Sequence, residues 1–410
     1  MAFTHLHFHT SYSFLDGYNP IKKAVARVKE LGMKACAITD HNMPGGNLEF
    51  QEECKKQGIK PLLGCELYFS PSMKDITKPI EERKKDALTK YLASPDAEYN
   101  EESFKKLKKT EQTQVLKPYM YNTTNYHILL IAKNQIGWNN LVKICSIAAE
   151  KGKFNARNHC DMDLLRQYSE GLIVTTACIG SYSARQYIQG NEDKAITYIK
   201  DMKDIFGDDF YLEIQPLVLD RQHKVNQFYI RLSRELNIKL VATNDVHWTN
   251  KEDHDDHDTL LCIGTGAKKK EENRLRYSND FWIKSEEEMI ESFKNQSIQE
   301  DIFMDSDEYL AICKEAMLTT QEVTDKVEDT IKLGSDVPLF PNIKIPNGLT
   351  AAQCLEEKAW SGLYKYLKEH PELDRSVYEE RLRMELDIII PKGFAPYSVS
   401  YTHLRAHETR

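Results

Sequence analysis

The sequence predicts an α/β fold in which seven strands, joined mostly by helices, close into a barrel. Over the first 250 residues, seven short apolar runs alternate with amphipathic stretches. Strands that alternate with helices form a parallel sheet covered on both faces, and seven units are enough to close it into a barrel. Most polar candidate residues stand at the ends of the apolar runs, which is where the active sites of such barrels form.

The predicted elements follow from the period of the apolar residues. The strands are expected at residues 3–8, 35–39, 61–69, 127–132, 171–177, 210–214 and 239–243. The clearest helices are expected at residues 20–31, 137–149, 193–206 and 221–236. In residues 20–31, for example, apolar side chains recur every three or four positions from Ile21 to Leu31, the period of a buried helix face.

Two further regions lie outside this alternation. Residues 71–124 are rich in Lys and Glu and poor in large apolar residues, which predicts a surface insertion with one or two helices. Residues 284–333 and 350–390 have a helical pattern, and a Pro-rich connector at 337–348 separates them. We therefore expect a barrel followed by a mostly helical region.

Length and composition exclude several classes of protein. The 410 residues exceed one typical domain, so two domains are expected. The sequence contains no run of 18 or more apolar residues, so no membrane span is predicted. The N-terminus lacks the basic start and apolar core of a signal peptide. The nine cysteines include no C-x-x-C pair, which favours the reducing cytoplasm. The net charge of −8 gives no bulk argument for nucleic-acid binding.

Three His-containing motifs end predicted strands and indicate a metal centre. They are His5-Leu6-His7-Phe8-His9, Thr39-Asp40-His41 and Asn244-Asp245-Val246-His247. In an extended backbone, residues i and i+2 point to the same side, so His7 and His9 can reach one ion. Asp245 and His247 repeat this spacing. Imidazole nitrogens and carboxylate oxygens are ligands that divalent zinc, manganese and iron prefer.

Other candidates stand on the same strands, and the residues alone leave alternatives open. Glu66 ends an apolar run, where an acid must be paired or bound to metal. Asp245 and His247 could instead form a salt-bridged strand end, and Cys178 could be an ordinary buried thiol. His127 opens its strand rather than closing it, which makes it the weakest candidate by geometry.

Taken together, these residues resemble the PHP (polymerase and histidinol phosphatase) domain. The resemblance is strongest to the PHP domain that begins the bacterial DNA polymerase III alpha subunits, the C-family replicative polymerases. Besides the three His motifs, it rests on Ser13-Phe14-Leu15-Asp16-Gly17 and Leu130-Ile131-Ala132-Lys133-Asn134, and it covers almost the whole chain. It implies a distorted seven-stranded barrel with up to three divalent ions, either zinc or manganese, with iron as a further option.

The resemblance also implies the roles of individual residues. The implied metal ligands are His7, His9, Asp16, His41, Glu66, His127, Cys178, Asp245 and His247. All nine positions hold a residue able to bind metal. Glu66, Asp245 and His9 are the implied catalytic residues. His5 is expected to be structural, because it sits at the far end of the same strand.

The chemistry expected from such a centre is phosphoester hydrolysis. Clustered divalent ions bring the pKa of bound water close to neutral and neutralise phosphoryl oxygens. Three hypotheses follow. The chain is the N-terminal part of a replicative DNA polymerase with 3′–5′ proofreading exonuclease activity, a stand-alone phosphoesterase similar to histidinol-phosphate phosphatase, or a non-catalytic scaffold stabilised by metal. Residues 379–397 resemble the segment that opens the polymerase palm and favour the first hypothesis.

The resemblance divides the chain into three parts. Residues 1–285 are expected to form the PHP domain, residues 286–397 the start of the palm region, and residues 398–410 an atypical tail that indicates truncation. No Asp-x-Asp pair follows residue 397, so the polymerase carboxylates and their Mg²⁺ ions are expected outside this chain, which should not extend a primer. The implied partners are primer-template DNA and, through the missing C-terminal part, the sliding clamp and clamp loader, with no membrane contact.

Overall fold

A ring of short strands forms the centre of the first part of the chain. The computed structural model describes residues 3–95, 97–117, 119, 125–297, 304–334, 345 and 348–400. By its internal contacts the chain divides into a first unit, Met1–Ile331, and a second unit, Lys332–Arg410. The strands are β1 (Ala35–Ile38), β2 (Lys60–Phe69), β3 (Tyr126–Ala132), β4 (Lys153–Phe154), β5 (Arg157–Cys160), β6 (Leu172–Thr175), β7 (Phe210–Ile214) and β8 (Leu240–Ala242).

The N-terminal segment, residues 5–9, closes this ring. The strand order is β4-β5-β2-β3-β6-β7-β8, and β1 pairs with the first half of β2. On one side of the segment, the Ala37 amide donates to the His5 carbonyl at 2.9 Å, and on the other side the Val246 amide donates to the His7 carbonyl at 3.1 Å. Strands β4 and β5 pair with each other beside the end of β2, so the ring itself consists of the segment and six strands, and the predicted distorted seven-stranded barrel is confirmed. The predicted strand at 3–8 is not a regular strand, because its bonds to its two neighbours are isolated.

The prediction of a parallel sheet is wrong at β3. This strand runs antiparallel to both of its neighbours, β2 and β6, whereas β1–β2, β6–β7 and β7–β8 are parallel. A parallel strand needs a crossover that carries the chain back to the opposite edge of the sheet. The long insertion after β2 instead lets the chain enter β3 from the edge where β2 ends, so the first residues of β3 lie beside the last residues of β2.

Sixteen α-helices surround the ring or follow it in the described parts of the chain. They are α1 (Ile21–Glu30), α2 (Asn47–Gln57), α3 (Met73–Ile76), α4 (Ile80–Leu92), α5 (Glu101–Lys105), α6 (Lys109–Leu116), α7 (Gln135–Lys151), α8 (Met162–Gln167), α9 (Tyr182–Ile188), α10 (Glu192–Phe206), α11 (Asp220–Leu236), α12 (His254–Thr265), α13 (Glu286–Ser297), α14 (Ser306–Lys326), α15 (Ala351–Glu369) and α16 (Arg375–Ile389). The four helices predicted in the first 250 residues correspond to α1, α7, α10 and α11.

The insertion is more ordered than its composition predicts. Between β2 and β3 the structure has four short helices, α3 to α6, where one or two were expected. Ala87, Tyr91, Phe104 and Leu116 are buried together and form a small core of their own. Charged residues dominate the composition of the insertion because its helices are short and each of them buries few side chains.

The helices α13 and α14 belong to the first unit. The Thr4 amide donates to Thr320 Oγ1 at 2.9 Å, and the Glu328 amide donates to the Lys133 carbonyl at 2.8 Å. Both contacts lie at the end of the ring opposite to the His motifs, so α14 and the residues after it cover that end. The predicted boundary at residue 285, between the PHP domain and the start of the palm region, is based on family resemblance and stays a prediction.

The second unit is helical where it is described. Helices α15 and α16 match the predicted helical region, and Cys354, Leu355 and Leu386 are buried between them. Most of the predicted connector and residues 401–410 of the tail, which include His403 and His407, lie outside the described residues. Over the part of the chain that is described, no helix has both the length and the apolarity needed to cross a membrane.

The close packing of α7 against the loop before β6 at Gly137 can be tested by substitution. A Cβ atom added at Gly137 would lie 1.7 Å from the Gly171 carbonyl oxygen, whereas one added at Gly362 in α15 meets nothing within 4 Å. We expect Gly137→Ala to lower the free energy of unfolding by about 1–3 kcal/mol, because the helix must move away. Gly362→Ala, the control, should raise it by about 0.5–1 kcal/mol through helix propensity. Urea unfolding measures both, and equal stability of the two variants would contradict this packing.

Candidate metal centre

The nine predicted ligands meet at one end of the barrel. They come from the N-terminal segment and the loop after it, from within β2, from the ends of β1, β6 and β8 or just beyond them, and from the start of β3. The members of this cluster are His7, His9, Asp16, His41, Glu66, His127, Cys178, Asp245 and His247, and each has a side-chain atom within 3.6 Å of another member. The structure therefore brings every predicted ligand into one continuous group.

Glu66 lies at the middle of the cluster and is 1 % exposed. Its carboxylate oxygens lie 2.7 Å from His41 Nδ1 and 2.9 Å from His127 Nδ1, and Oε1 also lies 3.3 Å from His7 Nε2. The Glu66 amide donates to the Asp40 carbonyl at 3.0 Å, which fixes this part of β2 beside the residues that follow β1. One buried carboxylate thus contacts imidazoles from three different segments.

Asp245 joins the two histidines of the N-terminal segment. Its Oδ1 atom lies 3.1 Å from His7 Nε2 and 3.3 Å from His9 Nε2. The two imidazoles share one side of the extended segment, as their i, i+2 spacing predicts. Asp245 has a backbone φ of +50°, a conformation that non-glycine residues seldom adopt and that is concentrated at functional sites.

Asp16 forms the outer edge of the cluster. Its Oδ2 atom lies 3.0 Å from His41 Nε2 and 3.5 Å from His247 Nε2. The loop that carries it is held by His257, whose Nε2 lies 2.8 Å from the Asp16 carbonyl oxygen. The ring of His9 lies between those of His41 and His247, with centroid distances of 4.3 Å and 4.4 Å.

Cys178 and His127 form the opposite edge. Cys178 Sγ lies 3.4 Å from His127 Nδ1 and 4.0 Å from Glu66 Oε1, and the Gly180 amide donates to the sulfur. His127 reaches this position because β3 runs antiparallel, so that a residue opening β3 stands at the same end as residues closing its neighbours. The strand position that made His127 the weakest candidate therefore places it in the cluster.

The donor atoms at the middle of the cluster fit a bound metal. Five buried atoms of the cluster make no contact with hydrogen-bond geometry to the described residues: His7 Nε2, His9 Nε2, Glu66 Oε2, Asp245 Oδ1 and His247 Nε2. The first four approach one another at 3.1–3.5 Å, and His247 Nε2 lies 3.5 Å from Asp16 Oδ2. A buried polar atom without a partner costs free energy. Imidazole nitrogens and carboxylate oxygens converge here in the combination that divalent ions bind once the imidazoles are deprotonated.

The ligand atoms form three overlapping groups, and within each group all the atoms lie within 4.8 Å of one another. The groups are His9, His41 and His247; His7, His9 and Glu66; and His41, Glu66 and His127. His9, His41 and Glu66 each belong to two groups, so each of them lies between two neighbouring candidate metal positions. This overlap is compatible with more than one ion.

Burial and neighbouring carboxylates shift the pKa values of the clustered histidines in opposite directions. Burial alone would lower the pKa of His7, but the Asp245, Glu213 and Glu66 carboxylates outweigh it and raise that pKa well above its ordinary value. In the same way, Glu66 overcomes burial and raises the pKa of His41. His9 behaves differently, because burial and the neighbouring imidazoles lower its pKa to about 3. The metal-free cluster therefore holds protons at His7 and His41 at neutral pH, while His9 is neutral.

Sequence reasoning missed Glu213, which orients His7. Its Oε1 atom lies 2.7 Å from His7 Nδ1 and accepts from Thr243 Oγ1 at 2.5 Å, and its other oxygen accepts from Thr175. Since a carboxylate accepts, His7 Nδ1 carries the proton and Nε2 faces the cluster. The signal was available in the sequence, because Glu213 is the one acid within the otherwise apolar β7.

Ser13 orients His9 in a similar way and was also missed. Its hydroxyl donates to Asp40 Oδ1 at 2.7 Å, so its oxygen is free to accept from His9 Nδ1 at 2.9 Å. His9 Nε2 is then left with its lone pair toward the cluster. His5, expected to be structural, lies outside the three ligand groups, with its Nε2 atom 2.9 Å from the Lys284 carbonyl oxygen.

Comparisons with known proteins agree with this geometry. The sequence model of the PHP domain matches residues 5–216. A DNA polymerase III subunit alpha from Borreliella burgdorferi is 35 % identical over 400 residues, which cover 96 % of this chain and 29 % of the relative. The corresponding subunit from Aquifex aeolicus is 31 % identical over 405 residues, covering 96 % of this chain and 30 % of the relative.

The chain thus spans about three tenths of the length of these relatives. A solved amidohydrolase from Chromobacterium violaceum covers 60 % of the chain at 14 % identity, with a TM-score of 0.29 that is too low to support an argument. The predicted resemblance to DNA polymerase III alpha subunits is confirmed over nearly the full sequence. With its family match over more than half of its residues, the chain belongs to the PHP domain family.

Proposed function

We propose that this chain is the N-terminal part of a replicative DNA polymerase III alpha subunit, and that its barrel is a metal-dependent phosphodiesterase acting as a 3′–5′ proofreading exonuclease. The observation that carries the proposal is the convergence of nine ligand-capable side chains, five of them with a buried atom that lacks a hydrogen-bond partner. The similarity to DNA polymerase III alpha subunits over 96 % of the chain supports the replicative setting.

The nine clustered side chains would hold two or three divalent ions. Zinc and manganese both suit this mixture of imidazole, carboxylate and thiol ligands, and iron is a further option. When bound, such ions supply hydroxide near neutral pH and neutralise charge on a phosphoryl group. Cys178 and His127 would bind at one edge, and Asp16 and His247 at the other.

The chain's own residues would orient the substrate and move protons. Glu213 and Ser13 hold the protons on the Nδ1 atoms of His7 and His9, which keeps both Nε2 atoms available. We assign the catalytic roles to Glu66, Asp245 and His9. Glu66 would hold imidazoles from three segments together, and the buried Asp245 Oδ1, 3.1 Å from His7 Nε2 and 3.3 Å from His9 Nε2, would accept a proton from an attacking water.

Two other functions remain as competitors. A stand-alone phosphoesterase similar to histidinol-phosphate phosphatase would need the same cluster, but the relatives at 31–35 % identity over about 400 residues favour the polymerase setting. A non-catalytic scaffold stabilised by metal would also need the cluster, and the hydrolysis experiment below separates it from the proposal. In the polymerase setting, the cytoplasmic partners would be primer-template DNA, the sliding clamp and the clamp loader.

Hydrolysis of bis(p-nitrophenyl) phosphate by the manganese-loaded chain tests the proposed chemistry. We expect His9→Ala and Asp245→Asn each to lower kcat about 100-fold or more, since even residues behind metal ligands cost 10–100-fold. The matched control is His370→Ala, an exposed histidine of the second unit, which should retain wild-type activity. Absence of hydrolysis with both manganese and zinc would refute a catalytic centre. The chain should not extend a primer, and extension by pure protein would contradict that part of the proposal.

Metal content and thermal stability provide a second test. Elemental analysis should find two to three divalent ions per chain after loading, and fewer than one would contradict the proposed centre. A strong chelator should lower Tm, because ligands that bind the native state stabilise it by mass action. His41→Ala and Asp245→Ala should lower the Tm of the loaded form towards that of the chelated form, while His370→Ala should leave it unchanged.

Metal affinity should rise with pH. Neighbouring carboxylates raise the pKa of His7 and His41, so both imidazoles are protonated in the metal-free cluster at neutral pH, and a metal must displace these protons. Each proton displaced makes the affinity increase about tenfold per pH unit below the pKa concerned. Calorimetric titration with zinc in buffers of different ionisation enthalpy measures proton release, and binding without it would contradict these protonation states.

A further inference from the structure

A chain of buried side-chain hydrogen bonds leads away from the candidate metal centre. It starts at Glu213, whose Oε1 atom lies 2.7 Å from His7 Nδ1 and accepts from Gln215 Nε2 at 2.9 Å. Gln215 is 0 % exposed, and its Oε1 atom has no hydrogen-bond partner among the described residues. The donor bonds of Nε2 therefore orient this amide, and one carboxylate separates it from the proposed ligand His7.

Asn226 of α11 holds the backbone of Gln215 from both sides. Its Oδ1 atom accepts from the Gln215 amide at 3.2 Å, and its Nδ2 atom donates to the Gln215 carbonyl at 2.8 Å. Asn226 is also 0 % exposed, so the loss of either bond would leave a buried polar group unsatisfied. This paired contact fixes the backbone from which the Gln215 side chain reaches Glu213.

Two helices far beyond the family match complete the chain of hydrogen bonds. Gln296 of α13 donates to the Leu217 carbonyl at 2.7 Å, and its Oε1 atom lies 3.1 Å from Asn226 Nδ2. Tyr309 of α14 donates its hydroxyl to Gln296 Oε1 at 2.6 Å and accepts from Asn226 Nδ2 at 3.0 Å. Both residues are 0 % exposed, and both lie outside the matched residues 5–216. We call Gln215, Asn226, Gln296 and Tyr309 the amide network.

Apolar packing alone could dock α13 and α14 on the barrel more simply than this network does. Burying an amide costs free energy, whereas apolar side chains of similar shape would pack there without that cost. Hydrogen bonds are directional, however, so a connected buried network fixes one arrangement of its members. The amide network fixes the Gln215 side chain and, through it, the Glu213 carboxylate.

We propose that the four residues of the amide network are positioning residues for the metal centre, acting through Glu213 on His7. The inference rests on the proposed function, because it takes the cluster to bind metal. It adds that helices α13 and α14, which the sequence places in the start of the palm region, help to hold a ligand of the barrel. A fixed Glu213 keeps His7 Nε2 directed at the cluster, so less freedom is lost when a metal binds.

Titration of the full, metal-free chain with cobalt(II) tests the proposal, because the visible absorption of bound cobalt reports the arrangement of its ligands. Gln215→Leu should weaken at least one binding step about tenfold and change the spectrum, since residues behind metal ligands contribute about 10–100-fold to affinity. Tyr309→Phe should act in the same direction by about threefold, because it lies further along the network.

Tyr211→Phe is the matched control. Like Tyr309, Tyr211 is 0 % exposed and joins the barrel to α14 through its hydroxyl, which donates to Glu322 Oε1 at 3.0 Å and accepts from Lys326 Nζ at 2.7 Å. Its contacts lie outside the amide network. Tyr211→Phe should therefore lower the Tm of the metal-free chain as Tyr309→Phe does, but bind cobalt with the affinity and spectrum of the wild type.

Hydrogen exchange provides a reciprocal measurement. Since coupling between two sites acts equally in both directions, metal binding should stabilise the helices that carry the network. Saturating cobalt should slow amide exchange in α13 and α14 of the wild type. The same addition should have a smaller effect on these helices in Gln215→Leu, in which the network no longer reaches Glu213.

The outcomes separate this inference from the proposed function. Weaker binding with an altered spectrum in the two network variants, and neither change in the control, supports the inference. Equal affinities and spectra in all proteins overturn it and leave the metal centre intact. Equal weakening in Tyr211→Phe also overturns it, since affinity would then follow the docking of α14. A wild type that binds no cobalt overturns the metal centre and the inference together. If Gln215→Leu does not fold, Tyr309→Phe, which removes one oxygen atom, decides the test.

Discussion

The contact of one buried carboxylate, Glu66, with imidazoles from three segments is the interaction on which the rest of the site depends. Removing an ionised carboxylate from water costs several kcal/mol unless charged or hydrogen-bonding partners replace the solvent. His41, His127 and His7 supply part of that replacement at 2.7–3.3 Å, but the 2.7 Å contact between His41 Nδ1 and Glu66 Oε2 does not have hydrogen-bond geometry. A metal ion would satisfy what remains, so the cluster is best understood as a site built for a bound cation.

Two departures from a regular barrel make this clustering possible. The N-terminal segment bonds to its neighbours only through isolated bonds, which leaves His7 and His9 in an extended conformation with both imidazoles on one side. The reversal of β3 brings His127 to the same end of the barrel as Glu66. Glu213 and Ser13 then fix the two imidazoles of the segment. The cluster thus depends on the topology of the ring as well as on the identity of its ligands.

Much of this could be predicted from the sequence, because the relevant signals are local. Six predicted strands and the helices α1, α7, α10 and α11 follow from apolar periodicity, and the nine clustered residues follow from motif spacing and family resemblance. The direction of β3 could not be predicted, since it depends on where a long insertion returns the chain.

The central claim, that the buried cluster is a metal centre, is tested most directly by anomalous diffraction from crystals of the manganese-loaded chain. The account predicts two or three anomalous peaks within coordination distance of Glu66, Asp245 and His9. Peaks confined to other acidic sites, with Glu66 still surrounded only by imidazoles, would contradict it.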